Sequence, residues 1–287
     1  MTGSSAEIYC FGEVLWDCLP DGLFLGGAPV NVAYHLHQLG QHSVPLSAVG
    51  DDFLGEEIQR RMQQWDVDTR GISVHPRLPT GAVVATLDAS GNASYDIREG
   101  VAWDQIPVSV EGSPQAIVYG SLAQRSSDNR EGLDRLLTEH DEAMKVFDVN
   151  FRPPFDDEAR TWELASRSCL VKLNHDEAAQ LVAGAAEVYE QNARAIAERS
   201  GAALVCITAG AAGAGLLVDG IWHWEAAQPV QVADTVGAGD SFLAALITGL
   251  LKEDEAVPVT LQRACRLAEF IASQRGAQPA YDAARFA

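Results

Sequence analysis

Strand-like and helix-like stretches alternate along nearly the whole chain, and this alternation predicts an α/β fold on a mostly parallel sheet covered on both faces. Two further observations agree with it. A length of 287 residues suits one large α/β domain, and a hydrophobic fraction of 47% can build a sizeable core. Polar residues also gather just after several strand-like runs, the rim where open α/β sheets bind ligands.

The elements follow in order. A first strand covers 7–12 and ends at Gly12-Glu13, with Asp17 soon after. Pro29 suits the first turn of a helix that runs to Leu39, stops at Gly40 and carries an apolar stripe of Val32, Leu36 and Leu39. A strand at 43–49 leads through Gly50-Asp51-Asp52 into a helix ending near Gln64. Residues 80–98 break the alternation, because 81–88 and 93–98 are β-rich runs around the turn Asp88-Ala89-Ser90-Gly91-Asn92. This hairpin reads equally as a flap over a cleft or as an edge hairpin. Alternation then resumes with strands at 116–120, 143–149, 169–173 and 203–208. Helices at 127–139, 157–168, 175–181 and 188–199 separate them. A glycine–alanine turn at 210–215, strands at 215–218 and 221–225, and helices at 238–252 and 258–274 complete the chain.

Composition narrows the function. A net charge of −20 argues against nucleic acid, whose phosphates need Lys and Arg, and against an anionic membrane surface. No apolar run approaches the roughly 18–20 residues of a membrane span. The polar stretch Met1 to Glu7 is not expected to be a signal peptide, and the chain reads as cytoplasmic. Five scattered cysteines without a CxxC pair suggest neither a disulfide framework nor a zinc site.

The richest stretch is Asp234-Thr235-Val236-Gly237-Ala238-Gly239-Asp240-Ser241-Phe242, followed by an apolar run to Leu251. It reads as a tight turn feeding a helix N-terminus, whose unpartnered N–H groups and positive dipole end can receive an anion. Small residues let the anion approach the backbone, and Asp240 stands beside it. The plain reading of Asp240 is an acid well placed in a first turn. There is no P-loop sequence, and the third glycine of a dinucleotide fingerprint is replaced by Phe242. The rim adds Asp148-Val149-Asn150-Phe151-Arg152, Asn174-His175-Asp176-Glu177 and Thr208-Ala209-Gly210. One loop carboxylate is ordinarily a cap, whereas a whole rim of such groups suggests a site. His35 and His37 lie two apart on a helix and do not face each other, so no metal role is expected.

Four motifs in this order resemble the ribokinase/PfkB carbohydrate kinases. The stretch 234–242 is similar to their C-terminal signature. Gly26-Gly27-Ala28-Pro29-Val30-Asn31-Val32-Ala33 is similar to the N-terminal one. Val49-Gly50-Asp51-Asp52-Phe53-Leu54-Gly55 resembles the segment that follows, and Asn174-His175-Asp176-Glu177 the N-x-x-E motif. The resemblance runs from Gly12-Glu13 to Gly276-Ala277. It implies a single three-layer α/β/α domain with a small β lid formed by about 17–26 and 80–100, which makes the hairpin a lid.

It also implies site residues. Asp240 matches the base that takes a proton from a sugar hydroxyl attacking the γ-phosphorus of ATP, and the N–H groups of Gly237, Ala238 and Gly239 match the anion hole. Asp17, Gly27 and Asn31 match sugar-binding positions. Arg152 resembles the arrangement in fructokinases and 2-keto-3-deoxygluconate kinases, and Arg98 at the lid end could reach a sugar or a phosphate; a surface salt bridge is the plain reading of each. Asn174 and Glu177 match the motif that holds Mg²⁺ near the nucleotide phosphates through water, and they also spell a capping box; both readings hold together. Thr208 and Gly210 match the start of the nucleotide cleft, and Asp234 resembles a ligand of a monovalent cation, K⁺. Tyr95-Asp96-Ile97-Arg98, followed by Ala102-Trp103-Asp104-Gln105-Ile106, looks most like bacterial fructokinases. The expected reaction is ATP-dependent phosphorylation of D-fructose to fructose 6-phosphate. 2-Keto-3-deoxygluconate, ribose or a nucleoside are alternative acceptors, and a silent sugar- or nucleotide-sensing protein is the alternative of another class. The partners expected are a small sugar and ATP, with no nucleic acid or membrane, and a homodimer through the lid.

Overall fold

The computed structural model describes residues 6–19, 22–87, 93–108, 112–252 and 254–286. The turn expected at 88–92 lies outside the described residues, as do residues 20–21 of the expected lid. Six parallel strands form the centre of one sheet: β1 (Glu7–Phe11), β4 (His42–Gly50), β8 (Pro114–Gly120), β9 (Met144–Asp148), β10 (Leu170–Asn174) and β11 (Leu204–Thr208). The short β5 (Ile72–His75) extends it in parallel beside β4. At the other edge β12 (Gly213–Val218) and β13 (Ile221–Ala226) run antiparallel, giving the order β13-β12-β11-β10-β9-β8-β1-β4-β5.

Alternate residues of each strand enter opposite cores, as a period of two requires. Tyr9 and Phe11 of β1 and Ile117 and Tyr119 of β8 pack with α3 (Ser127–Glu139), α4 (Glu158–Ser166), α5 (His175–Val182) and α6 (Tyr189–Ser200). Ile8, Cys10, Ala116 and Val118 face α1 (Ala28–Gln38), α7 (Ala238–Leu250) and α8 (Val257–Ala272) on the other side. The result is three layers. The helix α7 is buried from Ser241 through Gly249, consistent with its nearly continuous apolar sequence. Its first turn opens at the strand C-terminal rim.

A second sheet has the order β3-β2-β6-β7, from β2 (Leu15–Leu19), β3 (Gly22–Gly26), β6 (Gly81–Leu87) and β7 (Ala93–Ile97). The segments expected to form the lid thus supply this sheet. Beneath it α2 (Phe53–Gln64) and its neighbours form a small core in which Ile58 and Met62 meet Trp16, Leu25 and Val49. Asp52 fixes the junction: its carboxylate accepts from Gly55 N (2.8 Å), capping α2, and from Thr80 N (2.8 Å) and Thr80 Oγ1 (2.6 Å), just ahead of β6. Among the described residues no helix is long and apolar enough to cross a membrane.

Candidate active site

Gly237 caps α7 with φ +78°, a left-handed conformation that suits glycine. A methyl group there would lie 2.6 Å from Ala277 Cβ, so the turn is pressed onto the 276–278 loop. His35, buried on α1, helps hold that loop through Ala277 O (2.9 Å) and Tyr281 Oη (3.0 Å). Burial pushes the His35 imidazole down to about 4, so it stays neutral in this role. Ala238 N closes the turn onto Thr235 O at 3.3 Å. Gly239 and Asp240 follow in the first turn, whose N–H groups have no partner within the helix.

Asp240 Oδ2 accepts a 2.7 Å hydrogen bond from Asn31 Nδ2. Asn31 is itself oriented by Gln278, whose Nε2 donates to Asn31 Oδ1 and, at 3.1 Å, to Leu25 O of β3. One chain of amides therefore joins the second sheet, α1 and the first turn of α7. Burial, reinforced by the charge of Asp148, pushes the Asp240 carboxyl up to about 6; Asn31, Lys172 and Arg152 offset part of the rise.

A cleft of about 770 Å³ opens beside this group. Asp17, Gly27, Asn31, Arg152, Asp234, Gly237 and Asp240 all line it, so seven of the expected site residues come together. Gly27 caps α1 with φ +109°, and a methyl group on it would lie 2.3 Å from Glu13 O. Asp17 on β2 lies so close to Gly26 that a methyl group there would meet its Oδ2 at 2.3 Å. Burial pushes Asp17 up to about 6 and Glu13 to about 7, each partly offset by the Arg152 charge. Arg152 Nη1 donates to Phe151 O (2.8 Å) and its backbone N–H to Asp156 Oδ1 (2.6 Å), while its guanidinium makes no ion pair with a carboxylate among the described residues. Asp234, on the same cleft, accepts from Val236 N (3.0 Å) and Gly276 N (3.1 Å). Arg98 does not join the group. It is exposed beyond the end of β7 and outside the cleft lining, and its carbonyl accepts from Arg125 Nη2 (2.6 Å).

A second cleft, of about 450 Å³, reaches the same turn at Ala238 and Gly239. Thr208, at the end of β11, and Gly210 (φ +52°) line it, with Phe242, Ala268 and Ala272 as apolar wall. The expected helix cap next to it is present. Asn174 Oδ1 accepts from Glu177 N (2.9 Å) and Glu177 Oε2 from Asn174 N (2.8 Å). Glu177 Oε1 also accepts from Phe151 N (2.9 Å), which fastens the Arg152 loop to α5. Burial raises the Glu177 carboxyl, with Lys172 opposing.

Among the described residues no three His, Cys, Asp or Glu side chains cluster as a metal site. Both Glu177 oxygens already accept backbone amides, which fits contact to Mg²⁺ through water and a metal held mainly by nucleotide phosphates. Asp234 accepts one backbone amide on each oxygen and keeps lone pairs free, so its carboxylate fits contact to a monovalent cation.

The model of the pfkB family of carbohydrate kinases matches residues 9–284. The chain belongs to the pfkB carbohydrate kinase family. It is therefore an ATP-dependent sugar kinase. It is 29% identical over 264 residues to a fructokinase of Escherichia coli, covering 86% of this chain and 85% of that one. It is 30% identical over 268 residues to a fructokinase of Rhizobium leguminosarum bv. trifolii, covering 85% and 79%. The fold matches a fructokinase of Vibrio cholerae O395 solved with fructose, ADP and calcium (TM-score 0.83, 23% identity, 96% of each chain). It matches equally an aminoimidazole riboside kinase of Salmonella enterica solved with that riboside and an ATP analogue (TM-score 0.82, 22% identity, 98% and 99%).

Three polar residues of this kinase site were not singled out in the sequence. Lys172 stands in the middle of β10 with its Nζ on both oxygens of Asp148 (2.9 and 3.1 Å). A lone lysine in the apolar run Leu170-Val171-Lys172-Leu173 is a signal, because such a charge needs a buried partner. Gln278 and Arg275 flank Gly276-Ala277; Arg275 lines the larger cleft and has no carboxylate partner among the described residues. Nothing in their local sequence sets them apart.

Proposed function

We propose that this kinase transfers the γ-phosphoryl group of ATP to D-fructose, giving fructose 6-phosphate. The observation that carries the reading is that two clefts reach one turn, with Asp240 facing the polar cleft and Gly239 the apolar one. In this reading Asp17, Gly27 and Asn31 hold the sugar hydroxyls. Asp240 takes the proton as the hydroxyl oxygen attacks, which requires its ionised form. The amides of the Gly237-Ala238-Gly239 turn and the α7 dipole stabilise the charge that spreads over the moving phosphoryl group. ATP lies along Thr208 and Gly210. Glu177, through water, would hold Mg²⁺ bound with the nucleotide, which would lower the phosphate charge, and Asp234 would hold K⁺ beside the turn. The sheet β3-β2-β6-β7 is the lid that excludes water, and its outer face is where two copies would pair. The names of the curated relatives support fructose.

A second acceptor is favoured by one observation. The guanidinium groups of Arg152 and Arg275 both line the sugar cleft without an ion pair to a carboxylate among the described residues, an arrangement that also suits a sugar acid such as 2-keto-3-deoxygluconate. The test is kcat/KM for fructose, 2-keto-3-deoxygluconate, ribose and a nucleoside with ATP, Mg²⁺ and K⁺. Fructose is expected to lead, and a higher value for any other acceptor sinks the fructose assignment.

A further inference from the structure

The buried pair Lys172–Asp148 has no place in the mechanism above. The two residues are register partners in β10 and β9, and their side chains are 8% and 6% exposed. Lys172 Nζ bonds both Asp148 oxygens, and a methyl group on Gly239 would lie 3.3 Å from that nitrogen. The ammonium thus lies directly behind the first turn of α7. The carboxylates of Asp148 on β9, Glu177 on α5 and Asp240 on α7 all act on it. Lys172 is absent from the lining of both clefts, whereas Gly239 lines one of them, so the side chain is placed to act through the turn. Stability does not account for the pair, since a buried ion pair is often no better than an apolar pair of the same volume.

We propose that Lys172, held by Asp148, is a positioning residue that places a fixed positive charge behind Gly239. The N-terminus of α7 then meets the transferring phosphoryl group with the nearby ammonium, its charge partly offset by the Asp148 carboxylate, reinforcing its dipole. This rests on the assignment of the Gly237–Asp240 turn to phosphoryl transfer. Lys172 lines neither cleft, so its removal is expected to be felt in kcat and not in the KM of either substrate.

The test compares Lys172→Met, Lys172→Arg, Asp148→Asn/Lys172→Met and Asp240→Asn, using urea unfolding and steady-state kinetics with the best acceptor. The assay is run near pH 8, above the value of about 6 for Asp240, so that its ionisation does not limit any variant. Lys172→Met leaves Asp148 unpaired and is expected to lose both stability and kcat. The double variant removes the unpaired charge and is expected to regain stability, yet to keep kcat roughly tenfold or more below the wild type with KM values little changed. A structural role alone predicts that activity returns with stability. Recovery of kcat to within about twofold overturns the proposal, as does a loss confined to KM. Should the double variant not fold, Lys172→Arg decides: retaining the charge must retain more kcat than Lys172→Met, and equal rates overturn the proposal. If Asp240→Asn keeps the wild-type kcat, the assignment of the turn has failed independently of Lys172.

Discussion

Replacing Asp240 by Asn should make the protein slower and more stable at once. The carboxyl is raised from 3.8 to about 6, so above pH 6 the unliganded protein holds a charge that burial disfavours. Two units correspond to roughly 3 kcal/mol, and partial solvent access in the open cleft reduces this to about 1–2 kcal/mol. Asparagine keeps the shape and can still accept the bond from Asn31, now 2.7 Å, without the charge. The sign follows from linkage. An acid whose folded-state value is raised binds its proton more tightly when folded, so its contribution is full below about 4 and is lost as pH rises through about 6. The stability advantage of Asp240→Asn is therefore present near pH 8 and vanishes toward pH 4. In turnover the same change removes the base and should lower kcat by about 10²–10⁴-fold, with sugar binding nearly intact. Urea unfolding without substrates across this pH range, beside ADP-release kinetics, reads both. A variant no more stable near pH 8, or one within about tenfold of wild-type kcat, refutes the reasoning.

Other substitutions probe the supports of Asp240. Asn31→Leu removes a hydrogen bond that favours the ionised carboxylate, so the acid limb of kcat/KM should move up by about one pH unit, as a pH–rate profile would show. Gly237→Ala forces a methyl group to within 2.7 Å of Ala277 Cα at φ +78°; a stability loss of about 1–3 kcal/mol and a lowered kcat are expected from unfolding and rate measurements. Asp52→Ala removes the cap of α2 and both bonds to Thr80, at about 2–3 kcal/mol by urea unfolding. Burial opposes the Asp52 charge, but the bonds from Thr80 and Gly55 more than offset it and hold the carboxyl below its usual range. Its contribution is thus present above about 4 and lost as pH falls below that.

What the sequence discloses is what is local. The Gly237–Asp240 turn, the Gly27–Pro29 helix start and the Asn174–Glu177 cap each depend on residues within a few positions of one another, and each stands where the sequence puts it. The strand β12 begins at Gly213, two residues before the expected 215, because pairing with β13 extends through Gly213 and Ala226. β5 was not expected at all: four residues carry little periodicity, and their pairing with β4 supplies the rest. β2 and β3 were expected as part of the lid but not as strands, since their burial changes along each strand instead of alternating. The missed site residues share one cause. Lys172 has its partner 24 positions away, and Gln278 meets Asn31 across 247. Arg98, expected at the lid end where it could reach a sugar or a phosphate, stands exposed beyond β7 and outside the cleft lining.

The chemistry of the two clefts explains why the family is plain in this chain while the acceptor sugar needs kinetics. The cleft proposed for the nucleotide is shaped by small residues and backbone, with Gly210, Ala238, Gly239, Ala268 and Ala272 in its lining. Backbone amides and a helix dipole act on any phosphoryl group, whatever hydroxyl receives it. The cleft proposed for the sugar is lined instead by side chains, Asp17, Asn31, Arg152 and Arg275, brought from β2, α1 and two separate loops. Changing one of them alters which hydroxyls or carboxylates find partners and leaves the turn untouched, and an unpaired polar group in such a cleft rejects a wrong acceptor strongly. The link between the halves is the Gln278–Asn31–Asp240 chain, which reaches the proposed sugar cleft at Asn31 and orients the proposed base, Asp240. Acceptor choice can therefore drift at Asp17, Arg152 and Arg275, whereas a change at Asn31 alters sugar binding and the acid limb together. A variant of Asn31 that changed acceptor preference with an unmoved acid limb would break this link.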